Sequence, residues 1–295
     1  MKKSLLVLAA IFLGPISYAL ADSSYIELVQ KWRHDEEVDL TKPDGWLALA
    51  GLFWLKDGNN TVGAGPNFDV RLTNNFKRSK FGEINFYHGV ATLRVEPGVD
   101  AQVNGKPVTS IDLVPDTQGK PTEVHTGSQI FYLIRREDRF GIRLKDTQSP
   151  ARIEFKGQEW FAINESYRVP AKLEAFPAPQ ELIVPNVLGG HFKMQSPGKL
   201  KFTLQAKEYS LQPVTEDDGS LFIIFRDATS GKETYAAGRF LHADKPVNGV
   251  TVLDFNRAEN PPCAFTPFAT CPLPPPGNDL PAAIEAGEKY SGHHE

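Results

Sequence analysis

The run EINFYHGVATLRV (83–95) decides the fold class. Two β-rich segments, EINFYH (83–88) and VATLRV (90–95), meet at the turn dipeptide His88-Gly89. The same pattern repeats on either side of it. FDVRL (68–72), QIFYLIRR (129–136), FGIRL (140–144) and RIEF (152–155) are strand-like, and Asp57-Gly58, Pro97-Gly98 and Asn104-Gly105 punctuate them. In QVNGKPV (102–108), Asn-Gly supplies positive φ at both central positions of a type I′ hairpin turn. Further strand-like runs are YRVPAKLEAF (167–176), ELIVPNVL (181–188), KLKFTLQ (199–205), EYSLQPV (208–214), SLFIIFR (220–226), ETYAAGRFL (233–241) and VTVLDF (250–255). Turns are read at 217–219 and 228–231, and no low-complexity linker divides the chain near 147–166.

The expected fold is therefore mainly β. Two β-rich lobes, or sandwich or barrel layers, pack together over 41–150 and 151–290. An N-terminal helix is expected at 22–40, because Tyr25, Leu28, Val29 and Trp32 recur at helical spacing behind a serine. A short C-terminal helix is expected at 280–286, with Asp279 as N-cap and Gly287 as C-cap. Residues 291–295 read as a frayed tail.

The first 21 residues read as a secretory signal. Lys2 and Lys3 precede an apolar stretch at 5–13, and Ala19-Leu20-Ala21 is an A-x-A cleavage site. The apolar stretch falls short of the ~20 residues a membrane span needs, and no later segment reaches that length. Cleavage after Ala21 would remove Lys2 and Lys3 and shift the net charge from −4 to −6. The expected location is the periplasm or the exterior. An acidic chain without a basic run is a poor nucleic-acid partner. In that compartment the two cysteines, Cys263 and Cys271, are expected to form a disulfide. A metal site is not read, since no C-x2-C or H-x3-H spacing accompanies them.

The segment LDFNRAENPPCAFTPFATCPLPPPGNDLPAAIEAGEKY (253–290) carries eight prolines between Pro261 and Pro281, which rules out regular structure through most of it. A long irregular segment must be pinned, and such segments are often functional. Candidate ligand-binding residues gather here and on adjacent strands: Asp227, Arg239, Asp254, Asn256, Arg257, Asn260, Glu285 and Glu288. Glu285 and Glu288, three apart, would share a face of the expected helix. Paired carboxylates suit acid–base work or a hard cation. The same groups also serve as scaffold, because guanidinium–carboxylate forks and Asn side chains satisfy backbone that prolines leave unpaired.

Three blocks resemble a known family: DGWLALAGLFWL (44–55) with Gly58 and Val62-Gly63; RFGIRLKD (139–146); and LFIIFRDATSG (221–231) through Thr234-Tyr235, GRFL (238–241) and DFNR (254–257) to GEK (287–289). Together they resemble Domain of Unknown Function 1684, found in bacteria, archaea and fungi. Taken with the signal reading, this chain would be an exported bacterial member. The resemblance implies no activity, so no catalytic residue is carried over.

Other motifs fail on their chemistry. Gly231-Lys232 lacks the upstream glycine and the following Ser/Thr of a phosphate loop. Ser196-Pro-Gly-Lys199 lacks its penicillin-binding partners, and no G-x-S-x-G elbow occurs. His125 and His242 are the histidines to consider as acid or base. The aromatic block at Trp46, Phe53 and Trp54 reads as core. The favoured reading is a small-molecule-binding or accessory protein of the periplasm. The alternative is a carboxylate-dependent hydrolase, with or without a metal. The sequence names no cofactor and leaves enzyme or binder open.

Overall fold

The structure, a computed structural model, describes residues 23–290 and 292. The signal reading of 1–21 and the rest of the tail lie outside the described residues. In chain order the strands are β1 (Leu49–Trp54), β2 (Gly58–Ala64), β3 (Val70–Leu72), β4 (Lys80–Tyr87), β5 (Val90–Val95), β6 (Gln102–Val103), β7 (Lys106–Pro107), β8 (Ser110–Asp112), β9 (Val124–Thr126), β10 (Gln129–Arg136) and β11 (Arg139–Asp146). There follow β12 (Arg168–Pro185), β13 (His191–Leu204), β14 (Lys207–Leu211), β15 (Val214–Thr215), β16 (Leu221–Phe225), β17 (Arg239–Ala243) and β18 (Val250–Asp254). The chain is mainly β, as expected.

The first two strands quoted above become β4 and β5, paired in register from Gly82–Val95 to Tyr87–Val90. His88 and Gly89 both take positive φ, as do Asn104 and Gly105 between β6 and β7. The primed turns thus match the right-handed twist of their strands. A five-stranded sheet (β3-β2-β4-β5-β8) faces a six-stranded one (β1-β11-β10-β9-β6-β7). Between them lie Phe81, Ile84, Leu93, Phe131, Leu133, Ile142 and Leu144, all with no exposed surface. Phe81 meets Phe131 edge to face at 5.4 Å, the arrangement the ring quadrupoles favour.

A four-stranded sheet (β14-β13-β12-β18) and a three-stranded one (β15-β16-β17) enclose a second core around Leu200, Ile223, Phe225 and Leu241. The runs at 167–176 and 181–188 form one long strand, β12, whose pairing with β13 slips between Ala175 and Gln180. The run at 233–241 becomes strand only from Arg239. Before it, Thr234 is buried and its hydroxyl bonds that of Thr229 at 2.9 Å, which holds 227–234 as a closed turn.

The N-terminal helix, α1 (Ser23–Leu40), buries Tyr25, Val29 and Leu40. Leu28, assigned to that face by spacing, is 58% exposed. Arg33 seats the helix instead. It donates to the carbonyls of Phe161 (3.0 Å) and Asn256 (3.1 Å) and lies 4.7 Å from the Trp160 ring centroid. Among the described residues, no helix is long and apolar enough to cross a membrane.

The expected C-terminal helix does not form. Residues 280–286 are extended, with Leu280, Ala282, Ile284 and Ala286 buried and the residues between them exposed. That is the two-residue period of a strand. Leu280, Ile284 and Ala286 close the second core, and the backbone bonds outward: Leu280 N–H to the Arg226 carbonyl, and Ala228 N–H to the Ala282 carbonyl. With its polar groups satisfied by neighbours, the segment has no need of helical bonds. Gly287 ends it at φ +82°, where an added Cβ would lie 2.4 Å from the Ala258 carbonyl oxygen. Only glycine fits there. Cys263 and Cys271 form a disulfide with Cα atoms 6.2 Å apart. Closing so short a loop contributes about 2–3 kcal/mol.

Candidate functional site

Most residues singled out in the sequence hold the proline-rich segment down. Arg239 is 1% exposed and donates to Asp227 at 2.8 Å, to the Ile284 carbonyl at 3.0 Å and to the Ala286 carbonyl. Asp227 also accepts from the Thr229 and Ile284 backbone N–H groups and the Thr229 hydroxyl, so both its oxygens are filled. Asn256, wholly buried, bonds Tyr25, Asp254 and both backbone polar groups of Asn164. Asp254 also accepts from Tyr25 at 2.8 Å. Burial and the Asp254 carboxylate raise the Tyr25 pKa. Arg257 stands 3.6 Å from Asp254 and over the Trp32 ring. These side chains are committed to the fold.

Glu285 and Glu288 do not share a face. In the extended chain Glu285 is exposed and Glu288 is 1% exposed. Glu288 accepts from the Asn260 backbone N–H at 2.7 Å, and its own N–H donates to Ala258 at 2.7 Å. Residues 258–260 are therefore bound between β17, through Phe240 and Glu259, and the Glu288 strand. This double anchoring leaves the Glu259 side chain, four-fifths buried, facing a cleft of about 530 Å³.

The cleft lies between α1, the turn after it, the first pair of sheets and the C-terminal segment. Glu36, Trp46, Tyr132, Lys145, Glu259 and Asn260 line it. The carboxyl groups of Glu36 and Glu259 lie close enough to influence each other's ionisation. Burial raises both pKa values, Glu259 the more, and the neighbouring carboxylates push Glu259 further. Behind them burial raises Glu288 to about 7, against hydrogen bonds from Asn260 and Gln158 that favour its charged form. The side-chain oxygens of Gln158 and Asn260 are buried with no hydrogen-bond partner among the described residues. A proton on Glu288 would give one of them a donor. Glu36 and Glu259 thus line the cleft with Glu288 buried behind Glu259, and burial raises the pKa of all three.

The sequence reading missed Glu36 and Glu259. Glu36 falls in the docking register of α1, seven after Val29 and four before Leu40, and a carboxylate in an apolar stripe was the available signal. Glu259 lies inside the segment already singled out. Trp46, read as core, is 42% exposed and forms a cleft wall, while Leu47 and Leu49 beside it are buried. His242 stands 3.0 Å from Glu216 and 4.0 Å from Glu259, half exposed and stacked on Phe222. His125 lines a separate shallow hollow with Asp100 and Gln102. Among the described residues, no group of three or more His, Cys, Asp or Glu stands in metal-holding geometry.

Among curated proteins none matches the chain. Seven chains of known structure match it. One of them is the solution NMR structure of an uncharacterized protein from Haloarcula marismortui, 29% identical over 48% of this chain and 81% of that one, with a TM-score of 0.41. The model of a family described as "Protein of unknown function (DUF1684)" matches residues 153–289. That stretch supplies Gln158, Glu259 and Asn260 to the cleft, whereas Glu36, Trp46, Tyr132 and Lys145 come from outside it. Residues 153–289 belong to the family of proteins of unknown function DUF1684.

Proposed function

We propose that the chain binds a small molecule in this cleft, with the Glu36–Glu259 pair as a proton-exchanging contact. The juxtaposition of the two carboxyl groups in one cleft carries the reading. Two neighbouring carboxyls cannot both ionise readily, so the pair holds a proton above the ordinary glutamate range. The pair then offers one strong donor beside several acceptors, which suits a hydroxyl or an amine. Trp46 and Tyr132 add flat surface for a ring. Arg239 and Asp227 are committed to the scaffold, so they are not part of this ligand site. The disulfide suits an oxidising compartment. The reading is therefore of a periplasmic or secreted binding or accessory protein.

A second reading, an acid–base hydrolase, draws on the same shared proton. One carboxylate would take a proton from water while its neighbour, still protonated, donates to the leaving group. The two carboxyls influence each other's ionisation directly. The pair would thus act as one unit on one water.

Calorimetry with a panel of monosaccharides and small amines, in two buffers of different ionisation enthalpy, tests the binding reading. A ligand that binds should exchange protons on binding. Glu259→Gln should abolish that exchange and weaken affinity at least tenfold. A ligand whose affinity and proton exchange survive both Glu36→Gln and Glu259→Gln would contradict it.

A further inference from the structure

We propose a second subsite beside the cleft, centred on Arg143, that binds the oxyanion end of a small molecule, a carboxylate or a phosphate group. It occupies a cavity of about 450 Å³ bounded by Trp46, Arg136, Arg143, Phe240 and Thr270.

Arg143 is 4% exposed. Its hydrogen-bond partner is neutral: Nη2 donates to the Thr270 hydroxyl at 3.2 Å, and the Tyr132 side chain lies nearby. Its Nε is buried with no acceptor among the described residues. Arg239 shows the contrast within the same protein, with a carboxylate and two carbonyls around its guanidinium. A buried charge without a counter-charge is costly, and an anion entering the cavity would supply one.

The neighbouring groups fit that role. Arg136 donates through Nε to the same Thr270 hydroxyl at 3.1 Å, and pairs with Asp116 at 2.8 Å. Two guanidiniums thus converge on one hydroxyl with a single aspartate between them. Thr270 accepts from both, which leaves its own proton for a ligand. The planar guanidinium fork matches carboxylate or phosphate oxygens. The nearest acidic side chain on the wall, Glu137, is turned to the backbone N–H of His191 at 2.7 Å. Burial lowers the Arg143 pKa, and Arg136 adds to that, while Tyr132 and Asp116 act the other way.

No member of the carboxyl pair lines this cavity, so the inference stands without the acid–base reading. Trp46 and Pro262 border both spaces. A molecule with a hydroxyl or amine at one end and an oxyanion at the other matches the two together.

Calorimetric titration of the full chain at low salt with inorganic phosphate, and separately with succinate, tests the subsite. One saturable site per chain is expected for at least one probe. Tighter phosphate would assign a phosphate ester, tighter succinate a carboxylate. Arg143→Met should weaken binding at least tenfold. Since that change also frees Thr270 and can loosen the fold, Thr117→Glu is the second variant. It places a carboxylate at an exposed position on the cavity wall. It should weaken binding at least tenfold with an unchanged melting temperature. Absence of saturable binding by both probes, or binding that survives Thr117→Glu, would overturn the proposal.

Discussion

Replacing Arg239 with methionine is expected to cost about 3–5 kcal/mol of stability. At roughly 2–4 °C per kcal/mol for a chain of this size, the melting temperature should fall by about 6–20 °C. Methionine fills much of the volume and leaves no large cavity, so the loss comes from polar groups. Asp227 would keep its bonds from Thr229 and Ile284 but lose its counter-charge inside the core. The carbonyls of Ile284 and Ala286 would lose their donor. Because Arg239 is the clamp between β17 and the extended 280–286 stretch, amide exchange there should accelerate more than in β4 or β5. A loss under 1 kcal/mol, or exchange that rises evenly over the chain, would show that the segment is held by its apolar side chains alone.

Glu288→Gln is expected to act through pH. A carboxyl raised from 4.5 to about 7 on folding binds its proton more tightly in the folded state. Its stabilising contribution is complete below the unfolded value and is lost as pH rises through about 7. The shift corresponds to about 3 kcal/mol for a side chain this buried. Glu36 and Glu259 are raised as well and carry the same sign. The parent chain should therefore be more stable at pH 5 than at pH 8. Glutamine keeps the acceptor for the Asn260 N–H and holds no titrating proton. The variant should match the parent near pH 5, exceed it at pH 8, and show a shallower slope between. Urea unfolding at both values reads this out. Identical slopes in the two chains would contradict it.

Most strands were legible because their β-rich runs are bounded by turn residues whose backbone demands are local; RIEF (152–155), read as strand-like, instead ends the short helix Pro150–Ile153 and leaves it without pairing. Asn104-Gly105 and His88-Gly89 needed nothing beyond their own positive φ. The segment at 280–286 was misread because caps at Asp279 and Gly287 suggested a helix, while the two-residue spacing of Leu280, Ala282, Ile284 and Ala286 pointed to an extended chain. The outcome depended on Arg239 and Asp227, some forty or more residues away, which no local pattern reveals. The polar cluster was found in the sequence, but its role was not. Asp254, Asn256 and Arg257 knit α1 to the C-terminal segment, whereas Glu259 faces the cleft. Glu36 meets Glu259 across 223 residues, a partnership that only the docking of α1 creates.

The most direct test of the central claim is the protonation state of the Glu36–Glu259 pair. Carbon-13 NMR of the side-chain carboxyls, with Glu36→Gln and Glu259→Gln for assignment, follows each group from pH 4 to 9. The account predicts that Glu259 titrates well above the ordinary glutamate range and that its titration moves toward that range when Glu36 becomes glutamine. Both glutamates ionising together at ordinary glutamate values, with no change in either variant, would contradict it.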